Sequence, residues 1–182
     1  NETDLRAHEL PPSLPNYDAI TSQGPVHRVV VYVHDQIKYK LIPYPGDLPA
    51  VIFNIAQTTV ACAYSGFTIN PYQKNHRRLS EKDRSNRVQD FLDWLISCSL
   101  SNVIVLGDFN VDWLSNTVSR KKLVDWSSEH NFHQLIDLPT RSVSNTCLDL
   151  CFARLSDKKI RHEYIDLPFS DHTGISISFG RQ

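Results

Sequence analysis

The sequence predicts a single α+β domain in which helices pack outside two β-sheets. Its 182 residues, 41% of them hydrophobic, are enough for one globular domain, residues 1–182, with a substantial core. Short β-branched runs alternate along the chain with segments of helical periodicity, in the order strands, helix, strand, helix, strands. This mixture of elements is typical of helices packed against sheets rather than of an all-helical or all-β domain.

The first half of the chain is predicted to be mostly β-structure. Residues 6–25 contain four prolines, of which Pro11, Pro12 and Pro15 prevent a regular helix, and we expect the segment to form a surface loop. Residues 28–33, 50–55 and 58–64 are apolar or β-branched runs with the signature of strands. Consecutive strands with short connections usually pair antiparallel, so these three runs predict a meander.

Two helices are predicted in the second half. Ser80 and Asp83 have the spacing of a helix cap, and apolar residues follow them at helical spacing to about Cys98. Residues 119–130 carry a weaker helical pattern, in which the cluster of three cations at 120–122 is predicted to be an exposed face. The remaining predicted strands are residues 103–106, 147–153 and 174–179.

Composition restricts the possible functions. A net charge of -1 and a pI near 6.8 give no bulk attraction to nucleic acid, so a polyanionic substrate needs a local basic patch or a metal ion. The basic run that begins at Lys74 and continues to Arg87 is such a patch, although its interleaved acids fit an ion-paired, solvated helix start equally well. The chain has neither an apolar run of about eighteen residues nor a basic-then-apolar leader, so no membrane partner is predicted.

The four cysteines are predicted to be buried free thiols, because they are scattered and mostly lie within apolar runs. Cys147 and Cys151 have a spacing that zinc sites use, but they lack a second pair of ligands. The three tryptophans are predicted to be core residues. The chain contains no methionine and begins at Asn1, which we interpret as a piece of a longer polypeptide.

Polar residues stand where two apolar strands meet loops. Gly107 permits a sharp exit from strand 103–106 that exposes Asp108 and Asn110, and Ser170-Asp171-His172 precedes the last strand. Metal-assisted phosphodiester hydrolysis needs carboxylates for a hard cation, an imidazole near the phosphate and neutral donors for its oxygens. The alternative is ordinary turn structure, in which Asp and Asn side chains cap their own backbone, and both interpretations can hold at once.

Four segments together carry a family resemblance. They are Asn1-Glu2-Thr3, Gly107-Asp108-Phe109-Asn110, Thr146-Cys147-Leu148-Asp149 and Ser170-Asp171-His172. In order and spacing they resemble the signatures of the endonuclease/exonuclease/phosphatase superfamily. The stretch Leu138-Pro139-Thr140-Arg141 makes the chain most similar to the apurinic-type endonuclease domain of non-LTR retrotransposons.

The resemblance covers nearly the whole chain and implies a fold. That fold is a four-layer α/β/β/α sandwich of two mainly antiparallel sheets flanked by helices. Members of the family begin with a strand hairpin whose asparagine helps to bind metal and phosphate, and this sequence begins after it. With those first strands missing, we expect exposed apolar surface and an unpaired strand edge.

The resemblance also implies a metal and a nucleophile. Glu2 and Asp171 match the residues that hold the divalent cation, which is Mg²⁺, with Mn²⁺ as the alternative because oxygen ligands suit both. Asp108 matches the aspartate that orients or deprotonates the attacking water. Asn110 matches the amide that holds the scissile phosphate.

Further matches complete the implied site. His172 would lie beside the phosphorus, as a general base or as a cation, and Asp149 would hydrogen-bond its imidazole and fix the tautomer. Tyr64 matches an active-site tyrosine, although the residues that follow it depart from the family pattern. Thr146 is expected to add a hydroxyl near the phosphate and Arg141 to touch DNA, and both can equally serve loop structure.

The implied function is a metal-dependent endonuclease that nicks DNA in the nucleus, so that a linked reverse transcriptase can extend the 3′-hydroxyl. Other activities of the superfamily remain open: an inositol-lipid phosphatase, a sphingomyelinase or an RNA deadenylase. A hypothesis of another class is an inactive remnant that acts only as a DNA-binding module. The intact matched residues argue against decay of that kind.

Overall fold

A computed structural model describes residues 5–6, 8–69, 78–98, 100–156 and 159–180. The predictions for Glu2 and for the basic residues 74–77 therefore lie outside the described residues. The elements are β1 (Leu5–Arg6), β2 (Tyr17–Thr21), β3 (Val26–His27), β4 (Val30–His34), β5 (Lys40–Leu41), β6 (Ala50–Ile55), β7 (Thr58–Tyr64), α1 (Glu81–Ser97), β8 (Val103–Asp108), α2 (Val118–Glu129), β9 (His133–Gln134), β10 (Asp149–Arg154), β11 (Lys159–Ile165) and β12 (Gly174–Gly180).

A six-stranded mixed sheet forms the centre of the fold, with strand order β5-β6-β7-β8-β10-β9. Strands β7 and β8 are parallel and are connected through α1, whereas the other neighbours in this sheet are antiparallel. The β6–β7 hairpin turns at Ala56 and Gln57, which have φ angles of 45° and 66°. Two successive positive φ angles match the twist of paired strands in a tight hairpin.

Both helices lie on one face of this sheet. The predicted cap of α1 is present: the Ser80 hydroxyl accepts the Asp83 N–H at 3.1 Å, and the Asp83 carboxylate accepts the Ser80 N–H at 3.3 Å. The buried side chains of α1 and α2 pack with alternate residues of the sheet into the main core. That core includes Phe91, Leu92, Leu95, Leu123, Trp126, Ile52, Ala61, Val103, Val105, Leu150 and Phe152.

The opposite face is covered by two antiparallel pairs, β2–β4 and β11–β12. Val29 packs with Val51, Phe53 and Tyr64 in a second buried cluster on this side. An apolar cavity of about 320 Å³ lies between β4 and β12, over Cys62 and neighbouring side chains of the central sheet. The second layer is therefore divided into two strand pairs.

The α+β class is confirmed, and two sequence predictions are wrong in detail. The predicted surface loop at residues 6–25 contains β2, which pairs with β4 along Tyr17 to Thr21. The predicted meander is limited to the β6–β7 hairpin, because β4 pairs with β2 in the second layer. Strand β11 was not predicted, although Ile160, His162 and Tyr164 alternate with exposed polar residues.

The cysteine prediction is confirmed in part. All four cysteines are free, but only Cys147 and Cys151 are buried, whereas Cys62 and Cys98 are partly exposed. Burial raises the pKa of the thiols of Cys62, Cys147 and Cys151 to about 12, so none of these three is a thiolate at neutral pH. The three tryptophans lie in or against the core. Among the described residues, neither helix has the length and apolar composition needed to cross a membrane.

Candidate active site

Three neighbouring strands end side by side at one edge of the central sheet. Tyr64 at the end of β7 is in register with Asp108 at the end of β8, and Asp108 is in register with Asp149 at the start of β10. Residues in register across a sheet point to the same face. The pairing of three strands that are distant in sequence therefore brings a phenol and two carboxylates together.

His172 completes this group from the loop that precedes β12. Its Nδ1 lies 2.7 Å from Oδ2 of Asp149. A carboxylate only accepts hydrogen bonds, so Nδ1 carries the proton, and Nε2 is the nitrogen that can act on a substrate. Possible ligand atoms of Asp108, Asp149 and His172 all lie within 4.8 Å of one another.

Burial and a neighbouring carboxylate raise the pKa of Asp108. Burial, and then the charge of Asp149, raise the pKa of Asp108 to about 6, whereas the backbone N–H of Asn110, 2.8 Å from Oδ1, lowers it. A buried carboxylate beside a second carboxylate is stabilised by a proton or a cation. Carboxylate oxygens beside one imidazole form a donor set that suits a hard divalent metal, so the residues present fit such a group.

Asn110 is both a turn residue and a site residue. It has a positive φ of 50°, its backbone N–H binds the Asp108 side chain, and its side-chain Nδ2 donates to the Ser65 carbonyl at 2.9 Å. The turn and the site are thus built by the same contacts. The side chain is fixed to the loop after β7 and faces the cavity beside Asp108.

Tyr64 is almost fully buried at the wall of this cavity, and the guanidinium of Arg28 lies 5.6 Å from its ring centre. Gly66 lies against the Tyr64 ring. A Cβ atom at Gly66 would lie 2.5 Å from Cε1 of the tyrosine ring. A larger residue at this position would therefore require the ring to shift. Arg28 was not predicted from the sequence, because nothing local in a β-branched run marks a buried cation.

Asp171 is held differently from the other acids. Its Oδ2 accepts a hydrogen bond from Nε of Arg141 at 2.8 Å, and this bond holds the pKa of Asp171 below its usual value. The cluster of three ligand residues does not include Asp171, although Asp171 and Arg141 both line the same cavity. The metal-binding role of Asp171 stays a prediction, as does that of Glu2.

These groups surround a cavity of about 370 Å³, the candidate catalytic cavity, which is lined by Tyr64, Asp108, Asn110, Asp149 and His172 among others. Residues 67–176, more than half of the chain, match the model of a family described as "Endonuclease-reverse transcriptase". The chain belongs to this family. It is thus a member of the endonuclease/exonuclease/phosphatase superfamily, as the sequence motifs predict.

Solved structures share the fold of this Endonuclease-reverse transcriptase family member. The endonuclease domain of TRAS1, a telomere-specific non-LTR retrotransposon, superposes with a TM-score of 0.64 at 15% identity, over 92% of this chain and 80% of that chain. The catalytic domain of human Nocturnin gives a TM-score of 0.60 at 17% identity, over 91% and 73%. A 3′-5′ exonuclease from Neisseria meningitidis gives 0.58 at 15% identity, over 97% and 86%. No curated protein matches the chain by sequence.

Thr140 is a residue of this family member for which the sequence indicated no role. It is fully buried, and its Oγ1 accepts the backbone N–H groups of Leu148 at 3.1 Å and Asp149 at 3.0 Å. Its carbonyl accepts the N–H of Thr173 at 2.7 Å, next to His172. One threonine therefore connects the two segments that carry the hydrogen-bonded pair. The only sequence signal was its place in the retrotransposon-like stretch.

Thr146 lies outside the catalytic cavity. It lines an adjoining cleft with Arg141 and Ser144, and its hydroxyl is 2.6 Å from that of Ser144. A strand-like bridge between Arg141 and Thr146 closes the intervening turn. The predicted contact between Thr146 and a phosphate stays a prediction, and its hydroxyl belongs to the cleft rather than to the cavity beside His172.

Proposed function

We propose that this domain is a divalent-metal-dependent endonuclease that nicks one strand of DNA in the nucleus and supplies a 3′-hydroxyl to a linked reverse transcriptase. The observation that carries the proposal is the group formed by Asp108, Asp149 and His172 at the wall of an open cavity. The family description and the TRAS1 likeness support a nucleic-acid substrate.

The reaction is hydrolysis of a phosphodiester. A bond forms between the water oxygen and phosphorus, the bond from phosphorus to O3′ breaks, and O3′ takes up a proton. A divalent cation held by Asp108 and Asp149, with Glu2 and Asp171 as the predicted further ligands, would neutralise charge on the phosphate oxygens.

The protein's own groups divide the remaining work. Asp108 would orient the attacking water or accept a proton from it, as its motif predicts. Nε2 of His172 is the ring nitrogen that would meet the phosphate, because Nδ1 is occupied by Asp149. Asn110 and Tyr64 line the cavity, and their amide and hydroxyl groups would serve as neutral hydrogen-bonding groups for phosphate oxygens.

The test is nicking of supercoiled plasmid by the purified chain. We expect conversion to open circles with Mg²⁺ and none with EDTA or for His172→Ala. Lys122→Ala, an exposed change on α2, is the matched control and should nick like the wild type. Nicking that survives EDTA or His172→Ala would overturn the mechanism.

A parallel assay separates the other activities of the superfamily. Phosphate release from p-nitrophenyl phosphate without plasmid nicking would indicate a phosphatase instead. Plasmid binding without any hydrolysis would indicate an inactive DNA-binding module.

A further inference from the structure

We infer that the cleft beside the catalytic cavity is a second subsite, which binds the nucleotide next to the scissile phosphate on the same strand. This inference rests on the proposed function and specifies its substrate as a polymer. Its principal contacts are Phe67 and Arg84, which line the cleft, together with Arg78, which lies over the Phe67 ring.

The two cavities adjoin. The cleft has a volume of about 370 Å³ and shares the residues Phe67, Asn110, Arg141 and Leu148 with the catalytic cavity. A single phosphate group needs only the space beside His172. A substrate that continues past the reacting phosphate must follow the wall that the two cavities share, and this wall leads into the cleft.

Phe67 stands at the junction with 37% of its surface exposed. The guanidinium carbons of Arg84 and Arg78 lie 4.3 Å and 4.7 Å from its ring centre. Arg84 is anchored, because its Nη1 donates to the Asn110 carbonyl at 3.4 Å, whereas Arg78 is exposed. In the part of the chain that the structure describes, neither arginine forms an ion pair. The ring thus holds two cations that are available for a phosphate.

The acids of the cleft are already engaged. The Ser119 hydroxyl donates to the Glu81 carboxylate at 2.7 Å, and Oδ1 of Asp112 accepts the N–H groups of Leu114 and Cys147 at 3.1 Å and 3.0 Å. One oxygen of each carboxylate is therefore held by the protein. The rest of the polar lining consists of Asn110, Arg84, Arg141 and the hydroxyls of Ser115, Thr117, Ser144 and Thr146.

This combination fits a nucleotide better than a small phosphate ester. Strand-binding grooves join cations for the backbone with an aromatic ring and neutral hydroxyls, and they bind without reading the sequence. The chain as a whole has a net charge of -1, so the local cations at Phe67 supply attraction that the bulk charge does not.

The test compares Phe67→Leu and Arg78→Ala with the control Lys122→Ala. Leucine keeps apolar volume while it removes the ring, so the fold is retained. Binding of a fluorescent oligonucleotide is measured by anisotropy in EDTA at several salt concentrations. We expect the Kd to rise about fivefold for Phe67→Leu and about threefold for Arg78→Ala, with the salt slope reduced by about one for the latter. The control should bind like the wild type.

A second readout distinguishes the subsite from the catalytic cavity. The ratio of plasmid nicking to hydrolysis of bis(p-nitrophenyl) phosphate, a small diester, should fall about fivefold in both variants. Equal losses on the two substrates, or unchanged oligonucleotide binding, would overturn the subsite. The two proposals can fail separately. If the variants lose oligonucleotide binding as expected but the wild type hydrolyses neither substrate, the proposed function is refuted and the subsite is supported.

Discussion

The Asp149 carboxylate accepts a hydrogen bond from Nδ1 of His172 at 2.7 Å, across 23 residues of sequence. Strand β10 holds the acid in register with Asp108, and the loop before β12 supplies the imidazole. The acid therefore fixes which ring nitrogen faces the cavity. Under the proposed function the two residues would act as one unit, with Asp149 orienting the imidazole.

We expect Asp149→Asn to lower the nicking kcat by about 100-fold or more, because asparagine can hold the wrong tautomer of His172. The loss in the double variant Asp149→Asn/His172→Ala should equal that of His172→Ala alone, since Asp149 acts through the imidazole. Single-turnover nicking rates measure both quantities. If the rate losses of the two single variants multiply in the double variant, Asp149 contributes independently of His172.

Thr140→Val should reduce both activity and stability. Valine keeps the shape of threonine but leaves two buried backbone N–H groups, those of Leu148 and Asp149, without an acceptor. Each such group costs about 1–3 kcal/mol. We expect urea unfolding to show a loss of this order and kcat to fall about tenfold. Thr140→Ser restores the hydroxyl and should recover kcat; a serine variant as slow as the valine variant would contradict this role.

The raised pKa of Asp108 predicts a pH-dependent stability. The folded carboxyl has a pKa of about 6, above the ordinary value of 3.8, so its stabilising effect is complete below pH 3.8 and is lost as pH rises through 6. Above pH 6 the buried charge costs about 2–3 kcal/mol without a cation. At pH 8 in EDTA, Asp108→Asn should therefore unfold at a higher urea concentration than the wild type. Near pH 4 the two proteins should unfold at similar urea concentrations.

The matched control for this prediction is Asp125→Asn on the exposed face of α2. It should leave stability unchanged at both pH values. Equal stability of the Asp108 variant and the wild type at pH 8 would show that the carboxylate is adequately solvated. Added Mg²⁺ should narrow the difference, because only the wild type gains from a bound cation.

Gly107→Ala tests the backbone that exposes Asp108. Gly107 has a φ of +148°, and a Cβ atom there would lie 1.8 Å from the Ala63 carbonyl oxygen of the paired strand. We expect a loss of about 3 kcal/mol or more, measured by thermal or urea unfolding. Gly180→Ala is the control, since nothing lies within 4 Å of its added carbon, and it should be nearly neutral. Similar stabilities of the two variants would contradict the close strand approach.

Local signals predicted the elements whose causes are local. The capping pair Ser80 and Asp83, followed by apolar residues at helical spacing, predicted α1 to within a residue. Strands β6 and β7 were predicted at their observed bounds, because each is a continuous apolar run between polar gaps. Strand β2 was missed, because its exposed residues, among prolines, are held by pairing with β4 rather than by their own propensity.

The ordered motifs predicted the candidate site residues more completely than local patterns predicted the arrangement of the strands. Asp108, Asn110, Asp149 and His172 were all identified from ordered motifs, and the structure brings them to one cavity. Thr140 and Arg28 were not identified, because a buried threonine or arginine gains its role from partners that local sequence does not show. Asp171 shows the converse, since its motif predicts a metal ligand and the structure pairs it with Arg141.

The sequence by itself determined the α+β class, the main helix, the central hairpin and several residues that line one cavity, because capping, periodicity and motif order are encoded locally. Only the tertiary structure decided that β7 and β8 run parallel, that β4 belongs to the second layer and that Phe67 joins two cavities. The physical reason is that strand pairing and side-chain proximity depend on which apolar faces bury one another. That choice is made by the whole chain and not by any segment of it.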